Sequence, residues 1–226
     1  EDVEKTCSLL NEIKDDVLRI ITGAYVYHFL AGIGLSCPNT DPCKELEDIN
    51  QHLGSLEEQA SNPREFLDGH SEFKKYLMWS GSERLEELLD KAIKDAYSFV
   101  LSGLGFCALG RGEFSRAEDY FSKAADIARE LGYWVNYLIG RRYTISVMVL
   151  SGESLEKVVS EFEKLWVDAP QWIWPSAPYL SAAAKILSSY LVGLVLIGKR
   201  SNAEKLLREY SWLRDMDMDK QANVTT

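Results

Sequence analysis

Histidine is scarce in this chain: His28, His52 and His70 are the three among 226 residues. Helical metal proteins place Glu-x-x-His or His-x-x-x-His pairs on facing helices, and neither spacing occurs here. The phosphate-cradling Gly-x-x-x-x-Gly-Lys-Ser/Thr loop and the Gly-x-Ser-x-Gly nucleophile turn are missing as well. No cofactor and no metal is expected. Proline and glycine are few, at 6 and 15, which excludes a low-complexity disordered chain. Positive charge is short: 25 Lys and Arg face 35 Asp and Glu, for a net charge of −10. Phosphate binding rests on Lys and Arg, so neither DNA nor RNA is an expected partner, nor is an anionic membrane surface. Long uncharged apolar runs are also missing. The two richest segments, 17–35 and 179–198, carry Arg19 with His28 and Lys185 respectively. They read as buried helices rather than membrane spans. The opening EDVEKTCSLL puts acid where a secretory leader has basic residues, and a cytoplasmic protein is expected.

Cysteine is limited to Cys7, Cys37, Cys43 and Cys107. Cys7 and Cys107 fall among apolar helical positions and read as core packing. Cys37 and Cys43 bracket CPNTDPC, where a local disulfide is open. Cys37 and Cys43 with His52 do not make a standard zinc spacing.

What the sequence does have is apolar residues at helical period. The reading is all-α, with about nine helices and short connections. The first runs from Val3 to about Gly34. Asp41 caps a second that begins at Pro42, and Pro63 opens a third through Phe66, Phe73, Leu77 and Met78. Ser80-Gly-Ser82 breaks the chain. Helices then follow at about 82–109, 113–131, 133–150, 154–168, 177–197 and 201–215. A polar tail, 217–226, ends the chain; its Asn223-Val-Thr is formally a glycosylation acceptor, discounted without a secretory leader.

Internal similarity emerges when the glycines are used as anchors. In LSGLGFCALGRGEFSRAEDYFSKA (101–124), Leu101, Leu104, Gly105, Ala108, Gly112, Phe114, Ala117, Phe121 and Ala124 follow one another as in a tetratricopeptide repeat. Small Gly105, Ala108 and Ala117 let two helices cross closely, and Gly112 turns the chain. Segment 187–210 is similar through Leu187, Leu194, Gly198, Ala203, Leu207 and Tyr210. Segment 139–165 is similar through Ile145, Val149, Gly152, Val158, Phe162 and Leu165, with one extra residue in the turn. Ala117, Val158 and Ala203 stand 41 and 45 residues apart, wider than the roughly 34 usual for the family. An ordinary helix bundle would also use alanine and aromatics in this way.

The resemblance implies antiparallel helix pairs stacked as a right-handed superhelix over 81–216. Residues 1–80 would be an N-terminal helical cap or degenerate repeats. It also implies a concave groove that takes a protein or peptide. Groove positions in the first unit would be Phe99, Ser102, Gly103, Phe106 and Leu109; the middle unit offers Arg142 or Tyr143, and the third Lys185. With no Lys, Arg or Asn in the first unit, a clamp for a peptide carboxylate is not supported. The groove would bind an apolar segment or be filled by the chain's own N-terminal helices, the second being slightly favoured. Trp172 and Trp174, with Trp166, Tyr179 and Trp212 near in sequence, read as packing anchors first and as a partner site if exposed. The expected function is a non-enzymatic scaffold for protein–protein interaction, with a homodimer left open. Two alternatives stand beside it. Arg64-x5-His70 has the loose spacing of HEPN-type ribonucleases, where Arg would hold phosphate and His would move a proton; a small-ligand sensor is the other.

Overall fold

The computed structural model describes residues 2–79, 84–177 and 181–214. The Ser80–Ser82 break, Tyr179 and the 217–226 tail with Asn223 lie outside the described residues. Eleven α-helices and no strand are found among the described residues. They are α1 (Asp2–Glu12), α2 (Asp16–Ile33), α3 (Pro42–Gln59), α4 (Pro63–Gly69), α5 (Ser71–Trp79) and α6 (Leu85–Gly110). Then come α7 (Phe114–Glu130), α8 (Trp134–Leu150), α9 (Leu155–Asp168), α10 (Ser181–Leu196) and α11 (Arg200–Glu209), closed by a 3-10 turn, Ser211–Arg214. The chain is all-α, as its periodicity implies.

Two expected helices are each divided. The expected 3–34 helix breaks at Ile13–Asp15, because the Asp15 carboxylate accepts the Leu18 N–H at 3.1 Å and starts α2 anew. The expected helix from Pro63 breaks at His70, whose extended backbone ends α4. The count among the described residues is therefore eleven, not nine.

Close packing divides the chain into two compact units, Glu1–Val147 and Met148–Thr226, with the boundary inside α8. The first is built around α6, against which α2, α3 and α7 pack. Its core holds Val17, Ile21, Ala24, Leu46, Leu53, Phe73, Leu89, Ala96 and Val100. Close approach is a requirement there. A Cβ on Gly103 would lie 2.6 Å from Leu46 and 3.1 Å from the His28 backbone, and one on Gly105 would lie 2.8 Å from the Phe121 ring. Helix α6 is long and apolar enough to cross a membrane, the one such helix among the described residues. It is also the helix that α2, α3 and α7 cover. The second unit packs α9 on α10 and α10 on α11, with Phe162, Leu165, Ile173, Trp174, Leu187 and Leu194 buried.

Five helix ends share one device. Gly34, Gly112, Gly132, Gly152 and Gly198 adopt φ of 69°, 73°, 76°, 81° and 77°. After each, the next N–H bonds back to the carbonyl five residues earlier: Leu35 to Leu30, Glu113 to Ala108, Tyr133 to Ala128, Glu153 to Met148 and Lys199 to Leu194. This is the Schellman termination, which glycine alone enters without a Cβ penalty.

The cysteines are paired otherwise than expected. Cys7 bonds Cys37 and Cys43 bonds Cys107. No Cys37–Cys43 bridge forms, and Cys7 and Cys107 are cross-links rather than free core thiols. Cys37 precedes α3 by a turn that carries it toward α1, while Cys43, in the first turn of α3, meets the C-terminal end of α6.

Candidate interaction site

The residues expected to line a groove fall in both units. In the first unit, Phe99 and Phe106 project from α6 toward α2. Phe99 lies 4.7 Å from the Tyr25 ring and 5.0 Å from His28. Phe106 lies 5.8 Å from His28, 5.1 Å from Phe121 and 4.8 Å from Tyr143. Tyr143 stacks on Phe121 at 5.2 Å, and the Arg142 guanidinium sits 5.6 Å above the Tyr143 ring. Phe99, Phe106, Arg142 and Tyr143 thus belong to one aromatic cluster, half-buried rather than open. Its α6 wall is occupied by α2: the Cβ position of Gly32 is 3.2 Å from Phe106. Helix α2 thus packs against the side of α6 that carries Phe99 and Phe106.

Half-buried polar groups lie beside the cluster. Burial pushes the His28 imidazole down to about 4, against the opposing pull of a backbone hydrogen bond at Phe99. Its Nδ1 is buried without a hydrogen-bond partner, so His28 is neutral at pH 7. The Tyr25 hydroxyl donates to Asp95 Oδ2 at 2.7 Å. Burial, then that bond, raises the Tyr25 pKa far above the phenol range, and burial raises that of Asp95 although the Tyr25 bond opposes it. Sequence reasoning missed this pair: the partners lie 70 residues apart, and no local pattern links them.

In the second unit, Trp172 is 57% exposed, whereas Trp174 is wholly buried. Trp174 stacks on Trp166 at 4.8 Å, and Trp166 meets Tyr210 edge-on at 5.3 Å. The expectation of Trp174 as a partner contact is therefore corrected: its indole is core, because the turn after α9 folds it under Trp166. Lys185 is half-buried on α10. Exposed apolar side chains in this unit include Val167, Val192, Val195 and Leu196.

Among the described residues, Arg64 and His70 border different cavities. His70 packs on Phe66 at 4.8 Å with Nδ1 3.5 Å from the buried Asp15 carboxylate. It borders a 550 Å³ cleft between α2 and α3 with Asp16, Arg19, Glu45, Asp48 and His52. Arg64 borders a 640 Å³ cavity with Lys74, Arg84, Glu86 and Glu87. There Lys74 pairs with Asp68 at 2.6 Å and Arg84 with Glu87 at 2.8 Å. A third cavity, of 560 Å³, is bordered by Ala31, Leu35, Pro42, Phe106 and Arg111 together with Cys43 and Cys107. No group of three or more His, Cys, Asp or Glu able to hold a metal ion occurs among the described residues.

No protein-family model, curated protein or solved structure matches the chain.

Proposed function

We propose that the chain is a non-enzymatic helical-repeat module of tetratricopeptide-like construction that binds a protein segment. The observation carrying this reading is the recurrent glycine termination at Gly112, Gly132, Gly152 and Gly198. It joins α6 to α7, α7 to α8, α8 to α9 and α10 to α11 by the same backbone route. Small residues support it at the crossings. Gly105 meets Phe121 between α6 and α7, Gly140 meets Ala125 between α7 and α8, and Gly193 meets Val159 between α9 and α10. Stacked repeats present recognition surfaces rather than reaction centres. With α2 on the inner wall of the first repeat, the partner goes to exposed apolar side chains of the second unit, among which Trp172 has the amphipathic ring most often found at binding hot spots.

The two disulfides favour an oxidising compartment for this module, since glutathione and thioredoxin keep cytosolic thiols reduced. The cytoplasmic placement expected from composition and the opening residues is the alternative to this reading.

The test is affinity capture with the tagged full chain from its own cell extract, with and without ribonuclease, read by mass spectrometry. The expected result is a protein at fixed stoichiometry that survives ribonuclease and is lost with Trp172→Ala. RNA recovered with the chain, or partners that vanish on ribonuclease treatment, would overturn the reading. Light scattering of the purified chain decides whether a second copy is that partner.

A further inference from the structure

The two disulfides occupy different surroundings. Cys7 and Cys37 are both buried, 5% and 4% exposed, and neither borders the three cavities described above. Cys43 and Cys107 both form part of the wall of the 560 Å³ cavity, which opens to solvent between the end of α2, the start of α3 and the end of α6. Cys43 is the more accessible of that pair, half-buried where Cys107 is 7% exposed. The wall beside them is apolar on one side, with Ala31, Leu35, Pro42 and Phe106. Leu35 is 47% exposed, and Ile33 and Phe29 near it on α2 are exposed as well. On the other side lie Ser36, Thr40, Asp41 and Arg111. The Arg111 guanidinium brings a cation to the cavity and makes a long 3.5 Å contact with Glu47.

From this geometry we infer that Cys43–Cys107 is a thiol–disulfide exchange site, and that its substrate is a pair of cysteine thiols on a polypeptide segment with apolar neighbours. Cys7–Cys37 is a structural cross-link that takes no part. Exchange proceeds by attack of a thiolate on a disulfide sulfur. An incoming thiolate attacks Cys43 Sγ, on the more exposed residue of the pair. A bond forms between the substrate sulfur and Cys43 Sγ, the Cys43–Cys107 bond breaks, and Cys107 leaves as thiolate and takes a proton from water. The second substrate thiol, deprotonated, attacks its partner sulfur in the mixed disulfide and releases Cys43, which is protonated in turn. The substrate leaves with a disulfide, oxidised by two electrons, and Cys43 and Cys107 remain as thiols. The apolar wall from Leu35 to Phe106 receives the residues flanking the substrate cysteines. Reduction also unties α3 from α6, so the state of the pair is read out in the packing of those two helices. This inference does not depend on the repeat reading, since it concerns α2, α3 and α6 alone.

The test uses the full oxidised chain under native conditions. It is exposed to dithiothreitol, and in parallel to a synthetic peptide carrying two cysteines among leucines. Aliquots are quenched by alkylation, and labelled cysteines are assigned by mass spectrometry. Cys43 and Cys107 should be released at least ten times faster than Cys7 and Cys37, and the difference should vanish in denaturant. Equal release of all four, or earlier release of Cys7 and Cys37, would overturn the site. Leu35→Asp should slow exchange with the peptide several-fold more than it slows exchange with dithiothreitol. Unchanged peptide exchange in that variant would overturn the polypeptide substrate. Cys107→Ser, given the same peptide with its cysteines held as mixed disulfides to thionitrobenzoate, should take the peptide onto Cys43 and release thionitrobenzoate as the leaving thiolate, and its failure to do so in a folded variant would assign the attack to the wrong sulfur.

Discussion

Glycine at position 103 has no freedom to become anything larger. The Leu46 methyl that a Cβ would strike at 2.6 Å belongs to a fully buried side chain, and the next obstacle is His28 backbone. Gly103→Ala should therefore cost about 1–3 kcal/mol through overpacking. Gly54, inside α3, has nothing within 4 Å of its Cβ position. Gly54→Ala should stabilise by about 0.5–1 kcal/mol by removing backbone freedom from the unfolded chain. Thermal melts of the two variants beside the parent chain check both signs, and a shared direction would contradict the packing of α2 and α3 on α6. His28 supplies a second test at this scale. Its folded pKa, about 4, lies below its unfolded 6.5. Its contribution is thus fully present above pH 6.5 and lost as pH falls toward 4, by up to about 3 kcal/mol. Asp95 has a raised pKa and acts with the opposite sign. The clean observable is the difference in urea stability between the parent and His28→Leu, followed from pH 7 to 4. That difference should shift in favour of His28→Leu as acid is added, and a constant offset would mean the imidazole is solvated.

Elements reveal what the sequence could and could not disclose. Most helix boundaries from 85 to 200 were legible within a few residues, because a glycine with a left-handed backbone ends α6, α7, α8 and α10, whereas the last helix, expected to reach 215, stops at Glu209 with no glycine to mark it. The break at Asp15 was not. Leu10, Ile13 and Val17 keep helical spacing straight through it, and neither glycine nor proline marks it. Its cause is tertiary: the same carboxylate that caps α2 also accepts the Phe73 N–H at 3.3 Å, fastening α2 to the start of α5. The disulfide pairing was equally hidden. Local proximity suggested Cys37 with Cys43, yet the true partners are 30 and 64 residues apart. At the site, Phe99, Phe106 and Tyr143 could be chosen because a repeat resemblance assigns faces. The burial of Trp174 could not be foreseen, since it depends on how the turn after α9 folds back. Asp15→Ala makes the element-scale prediction. It removes a cap and an interhelix bond together, so the loss should be about 2 kcal/mol, above a lone surface cap. Hydrogen exchange should rise at Leu18 and Phe73 alike. A rise at Leu18 alone would dissociate the cap from the α5 contact.

For the whole molecule, cross-links and indoles are unevenly divided. Both disulfides lie in Glu1–Val147, while Trp166, Trp172, Trp174 and Trp212 lie in Met148–Thr226 and leave Trp79 and Trp134 to the first unit. Closing loops of 30 and 64 residues stabilises a chain by about 3.5 and 4 kcal/mol on the loop-entropy model. Reduction withdraws that from the first unit alone. Two probes should therefore part company on heating. Far-ultraviolet circular dichroism reports on helices of both units, and tryptophan fluorescence reports mainly on the second. In oxidising buffer the two melts should lie close together. With both disulfides reduced, the dichroism should gain an early phase that fluorescence follows only weakly. Stacking of Trp166 on Trp174 makes fluorescence a stringent witness, because that pair separates only when the second unit's own core opens. Fluorescence and dichroism falling together at the same lowered temperature would instead mean that the two units unfold as one cooperative body, and that the disulfides of the first hold the second as well.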